Sequence, residues 1–256
     1  MLLIRSQFVN LLMYVLMAVM GILLSPAAIW SRDGAYWACK LYCKIMFWLL
    51  DKICGLKIEI RGEVPSDEVI VCSKHQSFLD IMMLMHALPR ARYIMKAQLK
   101  WAPVIGWYGM RIGSAPVSRG KRGAAMKQMV ENAEKSQATD PGQTIIFPQG
   151  TRVLPGAKLP YKVGAGVLYQ RLGQDCVPAA TNVGVFWARR SPYRYPGTAV
   201  LEFLPRIPAG KKIEPFMAEL EEVVETRSNA LMEEAGFTLP PEEPAADIDD
   251  AGKTRA

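Results

Sequence analysis

From Phe8 to Trp30 the chain reads "FVNLLMYVLMAVMGILLSPAAIW" without one charged residue. At roughly 1.5 Å per residue, such a run is just long enough to cross a ~30 Å hydrocarbon layer as a helix. The next stretch, "GAYWACKLYCKIMFWLLDKICG", stays apolar and aromatic but carries lysines at 40, 44 and 52. That pattern suits a helix at the membrane interface, with its lysines snorkelling and its aromatic rings at headgroup depth. The pattern then changes. "LKIEIRGE" alternates apolar and polar positions as a strand does, and "EVIVCSK" is a short β-branched run. "QSFLDIMMLMHALP" has helical length and ends at a proline, whereas "ARYIMKAQLKWAPVIGWYGMRIGSAPVSRG" mixes short apolar pieces with Gly and Pro. An amphipathic helix is predicted in "KRGAAMKQMVENAEKSQATDPGQ". Strands are predicted in "TIIFPQGTR", "CVPAATNVGVFW" and "TAVLEFLPRI", and a long helix in "MAELEEVVETRSNALMEEAGF". The sum is an α/β fold, a central mixed sheet flanked by helices, preceded by an N-terminal hydrophobic, membrane-associated helical segment.

Composition refines this picture. A chain of 256 residues supports one α/β domain with appendages. The expected division is a membrane anchor with interfacial helices over 1–54, the main domain over 55–237, and an acidic, proline-rich, disordered tail over 238–256. Positive charge is denser after Trp30 than before Phe8, so a spanning first segment leaves the main domain on the cytoplasmic side. A cleaved leader is the rival reading, on the small-residue stretch "SPAA". A single arginine ahead of the run and the long apolar continuation behind it both oppose that reading. The net charge of +7 favours anionic partners. It is scattered rather than striped, which argues against nucleic acid. The five cysteines form no CxxC pair and none stands at a ligand spacing from a histidine, so no metal site is expected.

Chemistry concentrates in "CSKHQSFLD", where a strand gives way to a helix. On one regular helix, positions five apart point roughly 140° away from each other. With His75 in the loop and Asp80 in the first helical turn, the chain can instead fold back and join imidazole to carboxylate. Two readings compete here. In one, "SFLD" is a capping pattern, with Ser77 at the helix start and Asp80 reaching back to a free amide. In the other, Asp80 orients and charges His75 as a general base. The only other histidine, His86 on an apolar helix, has no acidic neighbour in sequence. A second stretch, "FPQGTR", offers Gly150 for close backbone approach, the Thr151 hydroxyl and the planar fork of Arg152. Lys96 and Arg119 add cations if they converge on His75.

The ordered blocks "KHQSFLD", "IGSAPVSRG", "FPQGTR" and "CVPAA" resemble those of the glycerolipid acyltransferases, in particular bacterial 1-acylglycerol-3-phosphate acyltransferases, over about residues 55 to 205. One position departs, because Gln149 stands where the family's pattern has a glutamate. The resemblance implies acyl transfer from acyl-CoA or acyl carrier protein to the free hydroxyl of lysophosphatidate. His75 and Asp80 would be catalytic, and Gly150, Thr151 and Arg152, assisted by Arg119 and Lys96, would hold the acceptor's phosphate. No cofactor is implied beyond the donor, and the partners are membrane lipids at the inner membrane of a bacterium, with the catalytic domain facing the cytoplasm. Backbone amides near Gly150 are the expected oxyanion donors, and "WAPVIGWYGM" is either an acyl groove or core packing. Two alternatives remain. One is an acyltransferase for another lyso-lipid, such as a lyso-ornithine lipid. The other is a lipid-binding protein without turnover, suggested by Gln149.

Overall fold

The computed structural model describes residues 1–117 and 122–241. Arg119 and most of the tail expected over 238–256 lie outside the described residues. The core is a seven-stranded sheet of β1 (Leu56–Arg61), β2 (Ile70–Ser73), β3 (Ala91–Lys96), β4 (Ala115–Val117), β5 (Gln143–Ile146), β6 (Cys176–Thr181) and β7 (Gly197–Phe203), in the order β1-β7-β6-β2-β5-β3-β4. Among the described residues only β6 and β7 pair antiparallel, so the sheet is mixed. β2 is buried at every position, as a parallel strand covered on both faces should be. Ile70 and Cys72 face one core and Val71 the other, which is the two-residue alternation of a strand.

Helices cover the two faces. On the Ile70 side lie α6 (Arg122–Thr139), α7 (Gly164–Leu172) and α9 (Ile213–Glu234). Phe216, Leu220 and Val224 repeat every four residues along α9 and bury one stripe against the sheet. On the Val71 side lie α1 (Leu2–Leu23), α3 (Arg32–Leu49) and α4 (Leu79–Ala87). The sequence pattern assigns no element to the stretch that forms α7. Its opening "GAG" is poor helix material, and burial of Ala165, Leu168 and Tyr169 supplies the stabilisation that propensity does not.

The apolar run from 8 to 30 is not one helix, contrary to the sequence-based expectation. α1 begins earlier and ends at Leu23, Leu24 makes a turn, and α2 (Ser25–Trp30) restarts with Pro26 in its first turn. A proline there lacks only an N–H that no helical carbonyl would have bonded. The Ser31 hydroxyl accepts from Gly34 N–H at 2.9 Å to open α3, which runs into a π-helical turn at Leu50–Cys54. At 22 residues, or roughly 33 Å, α1 is long and apolar enough to cross a membrane.

α1 is also built into the domain along one edge. Val9 and Met13 join the core beside the sheet. The polar residues of α1 face the segment before β7: Ser6 Oγ accepts from Arg194 N–H at 2.8 Å, Gln7 Nε2 donates to Pro192 O at 2.9 Å, and Asn10 accepts from the Arg194 guanidinium. Arg194 lies over the Trp187 ring, 3.9 Å from its centre. Further along, Gly21 is pressed against Val104, and the Tyr108 hydroxyl donates to Gly21 O at 3.2 Å. Elsewhere on α1, Phe8, Leu11, Val15 and Ile22 are exposed. The "WAPVIGWYGM" stretch therefore packs on α1 through Val104 and Tyr108. Its Trp101, Trp107 and Met110 stay exposed.

Candidate active site

β2, β3 and β5 run parallel as neighbours, so the loops at their C-terminal ends open at one edge of the sheet. His75 follows β2, Lys96 closes β3, and Gly150 to Arg152 follow β5. β4 is parallel to β3. Strand topology thus brings together residues that are as much as 77 positions apart in the chain, and loops at strand ends are where a rigid scaffold commonly presents reactive groups.

His75 is fixed from several directions. Its Nδ1 lies 3.2 Å from Asp80 Oδ2, and its ring stacks on Phe147 with centres 4.0 Å apart. Its backbone carbonyl accepts from Val153 N–H at 2.7 Å, and its backbone N–H donates to Gln149 Oε1 at 3.2 Å. The imidazole is 13% exposed, whereas Asp80 is completely buried. Asp80 Oδ2 also accepts from Gln76 N–H at 2.6 Å, and Oδ1 accepts from Ser77 N–H at 3.0 Å. The two readings of "SFLD" therefore coexist. The carboxylate closes the start of α4, as a capping residue does, and holds the histidine with the same oxygen. Ser77 bonds one residue short of the standard pattern, accepting from Leu79 N–H at 3.2 Å. An ionised carboxylate only accepts, so Nδ1 carries the proton and Nε2 presents a lone pair. His86 has no such partner. It makes an edge contact with Phe47, and burial followed by Lys40 and Lys44 pushes its pKa down.

The "FPQGTR" loop lies against this histidine. Gly150 adopts a φ of 66°, the left-handed region that suits glycine, and its N–H donates to Phe147 O at 2.8 Å. That amide is engaged within the turn, which leaves the other amides of the loop as the ones to which the expected oxyanion role applies. Thr151 is half-buried, Arg152 is exposed, and the Arg152 carbonyl accepts from Arg189 at 3.2 Å. Lys96 is exposed at the same edge.

Sequence reasoning passed over Lys162. Its N–H donates to Pro148 O at 2.9 Å, and its Cδ lies 3.3 Å from where a Cβ on Gly150 would stand. A third exposed cation therefore borders the loop. The only sequence signal was a lysine just before the "GAG" that opens α7. Cys72, the thiol nearest His75 in sequence, is fully buried within the sheet and unsuited to attack a substrate.

A histidine held by a buried carboxylate beside a cationic loop on an α/β scaffold is an arrangement that can take a proton from a hydroxyl. Comparison with known proteins narrows the class. Residues 56–195 match the family model described as Acyltransferase, and the chain belongs to that family. It is 26% identical over 195 residues to the 1-acyl-sn-glycerol-3-phosphate acyltransferase of Pseudomonas aeruginosa, covering 75% of this chain and 76% of that one. It is 30% identical over 170 residues to the human 1-acyl-sn-glycerol-3-phosphate acyltransferase alpha, covering 64% of this chain and 60% of the relative. The crystal structure of the 1-acyl-sn-glycerophosphate acyltransferase from Thermotoga maritima shares the fold, with a TM-score of 0.76 over 93% of this chain and 98% of that one at 19% identity.

Proposed function

We propose that the chain acylates the sn-2 hydroxyl of 1-acylglycerol 3-phosphate, using acyl-CoA or acyl carrier protein as donor, and releases phosphatidate. The observation that carries this reading is the His75–Asp80 pair, held against the "FPQGTR" loop through Phe147, Gln149 and Val153. Nε2 takes the proton of the acceptor hydroxyl as its oxygen attacks the thioester carbonyl. The tetrahedral intermediate collapses, the C–S bond breaks, and the imidazolium returns the proton to the departing thiolate. Asp80 stabilises the cation formed in between. Arg152, with Lys96, Lys162 and Arg119, binds the acceptor phosphate, and Gly150 leaves room for it.

The N-terminal segment fits the same reading. Acceptor and product are amphiphiles, and drawing an acyl chain into water costs about 0.8 kcal/mol per CH₂. The exposed apolar residues of α1, together with exposed Ile29, Trp30 and Trp101, supply groups suited to docking at a bilayer. The membrane is the inner membrane of a bacterium, with the sheet on its cytoplasmic side.

Arg152→Ala is expected to raise the KM for lysophosphatidate about ten- to a hundred-fold, the value of one or two charge-assisted hydrogen bonds, while kcat changes far less. Steady-state transfer of labelled acyl groups checks this. An unchanged KM would remove Arg152 from the phosphate site.

A further inference from the structure

Gln149, the one departure from the family's pattern, is fully buried and uses both ends of its amide. Oε1 accepts from His75 N–H at 3.2 Å, and Nε2 donates to Glu225 Oε1 at 3.3 Å. Glu225 lies on α9, beyond the residues that match the family. Its carboxylate also accepts from Tyr161 OH at 2.9 Å and from Lys74 Nζ at 2.5 Å. Lys74 is 1% exposed and needs a counter-charge, which Glu225 supplies. The position follows from strand periodicity, since Lys74 continues the Ile70 and Cys72 side of β2, the side on which α9 packs.

The charges in this pocket explain why residue 149 is neutral. With glutamine there, one ammonium faces one carboxylate. An ionised glutamate would bring a second carboxylate oxygen to about the same 3.3 Å from Glu225 and could not donate to it. Acid is already crowded at this point, because burial and the charge of Glu225 raise the pKa of the neighbouring Glu221. Two more α9 residues bond nearby elements: Met232 Sδ accepts from Gln76 Nε2 at 3.4 Å in the His75 loop, and Ser228 Oγ accepts from Thr181 N–H at 3.2 Å at the end of β6.

We propose that Glu225 and Gln149 form a positioning pair for His75, with Gln149 an amide because Glu225 supplies the single carboxylate that Lys74 neutralises. This rests on the reading of His75 as the base. The pair holds the backbone on the amide side of His75, as Val153 holds it on the carbonyl side. A misplacement of about 1 Å at a reacting group can cost on the order of 10²-fold in rate.

The test is an exchange of the two groups in the full-length protein. Gln149→Glu and Glu225→Gln are each expected to lower kcat about ten-fold or more with little change in the acceptor KM. The double variant restores one carboxylate and one carboxamide in contact and is expected to return to within about three-fold of wild type. The imidazole resonances give a second readout that needs no turnover, since the chain has only two histidines and His86 serves as reference. The His75 signal should shift in each single variant and return in the double. A double variant no better than the worse single, a loss carried by KM, or an unmoved His75 signal would each overturn the proposal. Wild type inert toward lysophosphatidate would refute the substrate reading instead, and the resonances would still decide the pair. Should Glu225→Gln not fold, Tyr161→Phe removes one donor to the same carboxylate. It should lower kcat alone, and unchanged kcat would count against the pair.

Discussion

Asp80→Asn is expected to lower kcat on the order of 10³-fold and to reduce stability as well, because one buried carboxylate serves both base and helix. The catalytic loss comes from removing the charge 3.2 Å from Nδ1 that stabilises the imidazolium formed in transfer. The structural loss arises at Ser77 N–H, which would keep its 3.1 Å contact to Oδ2 but face an amide nitrogen in place of Oδ1 at 3.0 Å. Asp80→Ala goes further and leaves the Gln76 and Ser77 amides without their acceptor, at about 1–3 kcal/mol for each buried group. Turnover measured beside thermal unfolding separates these effects. The asparagine variant should be nearly inactive yet folded at assay temperature, and the alanine variant should unfold at a lower temperature. An active Asp80→Asn would mean that the carboxylate is only a helix cap.

His75→Ala is expected to abolish measurable turnover while the protein remains folded. The other groups of the described site are poor replacements: Cys72 is enclosed by the sheet, Asp80 is fully buried, and lysine and arginine side chains such as Lys96, Arg152 and Lys162 are hydrogen-bond donors. The imidazole makes its polar contact with Asp80 and its ring contact with Phe147. The backbone bonds to Gln149 and Val153 do not depend on the side chain and should survive. Activity and unfolding temperature of the purified variant check this. Turnover within about ten-fold of wild type would rule out general-base catalysis by His75.

Much of this architecture was legible in the sequence because burial and periodicity coincide. Leu56, Ile58 and Ile60 of β1 pack on one core at every second position, β2 is a short buried run, and α9 keeps its four-residue apolar repeat. The turn at Leu24 was hidden because its side chains are as apolar as those around it, and only Pro26 hinted at a new helix start. α7 was hidden by its glycines. His75 and Asp80 were recognisable as a pair because both lie in one loop–helix junction. Their convergence with Lys96 and the Gly150 loop depends on strand order, which no local pattern reveals.

Glu225 was the least visible. In "AELEEVVETR" it reads as one more solvated acid on a helix surface, and it becomes distinctive only when α9 packs beside Lys74 and Gln149. The same contacts answer the doubt that Gln149 raised. The missing carboxylate has a counterpart on another element, so a glutamine there is compatible with an active enzyme.

The most direct measurement offers the purified wild-type protein in phospholipid vesicles a labelled acyl thioester and, in parallel, lysophosphatidate or a lyso-ornithine lipid, which carries no phosphate. The account predicts labelled phosphatidate from the first acceptor and far slower transfer to the second, which offers no phosphate to the site proposed at Arg152 and its neighbouring cations. Transfer to the phosphate-free acceptor alone, or to neither with both acyl-CoA and acyl carrier protein as donors, would contradict it.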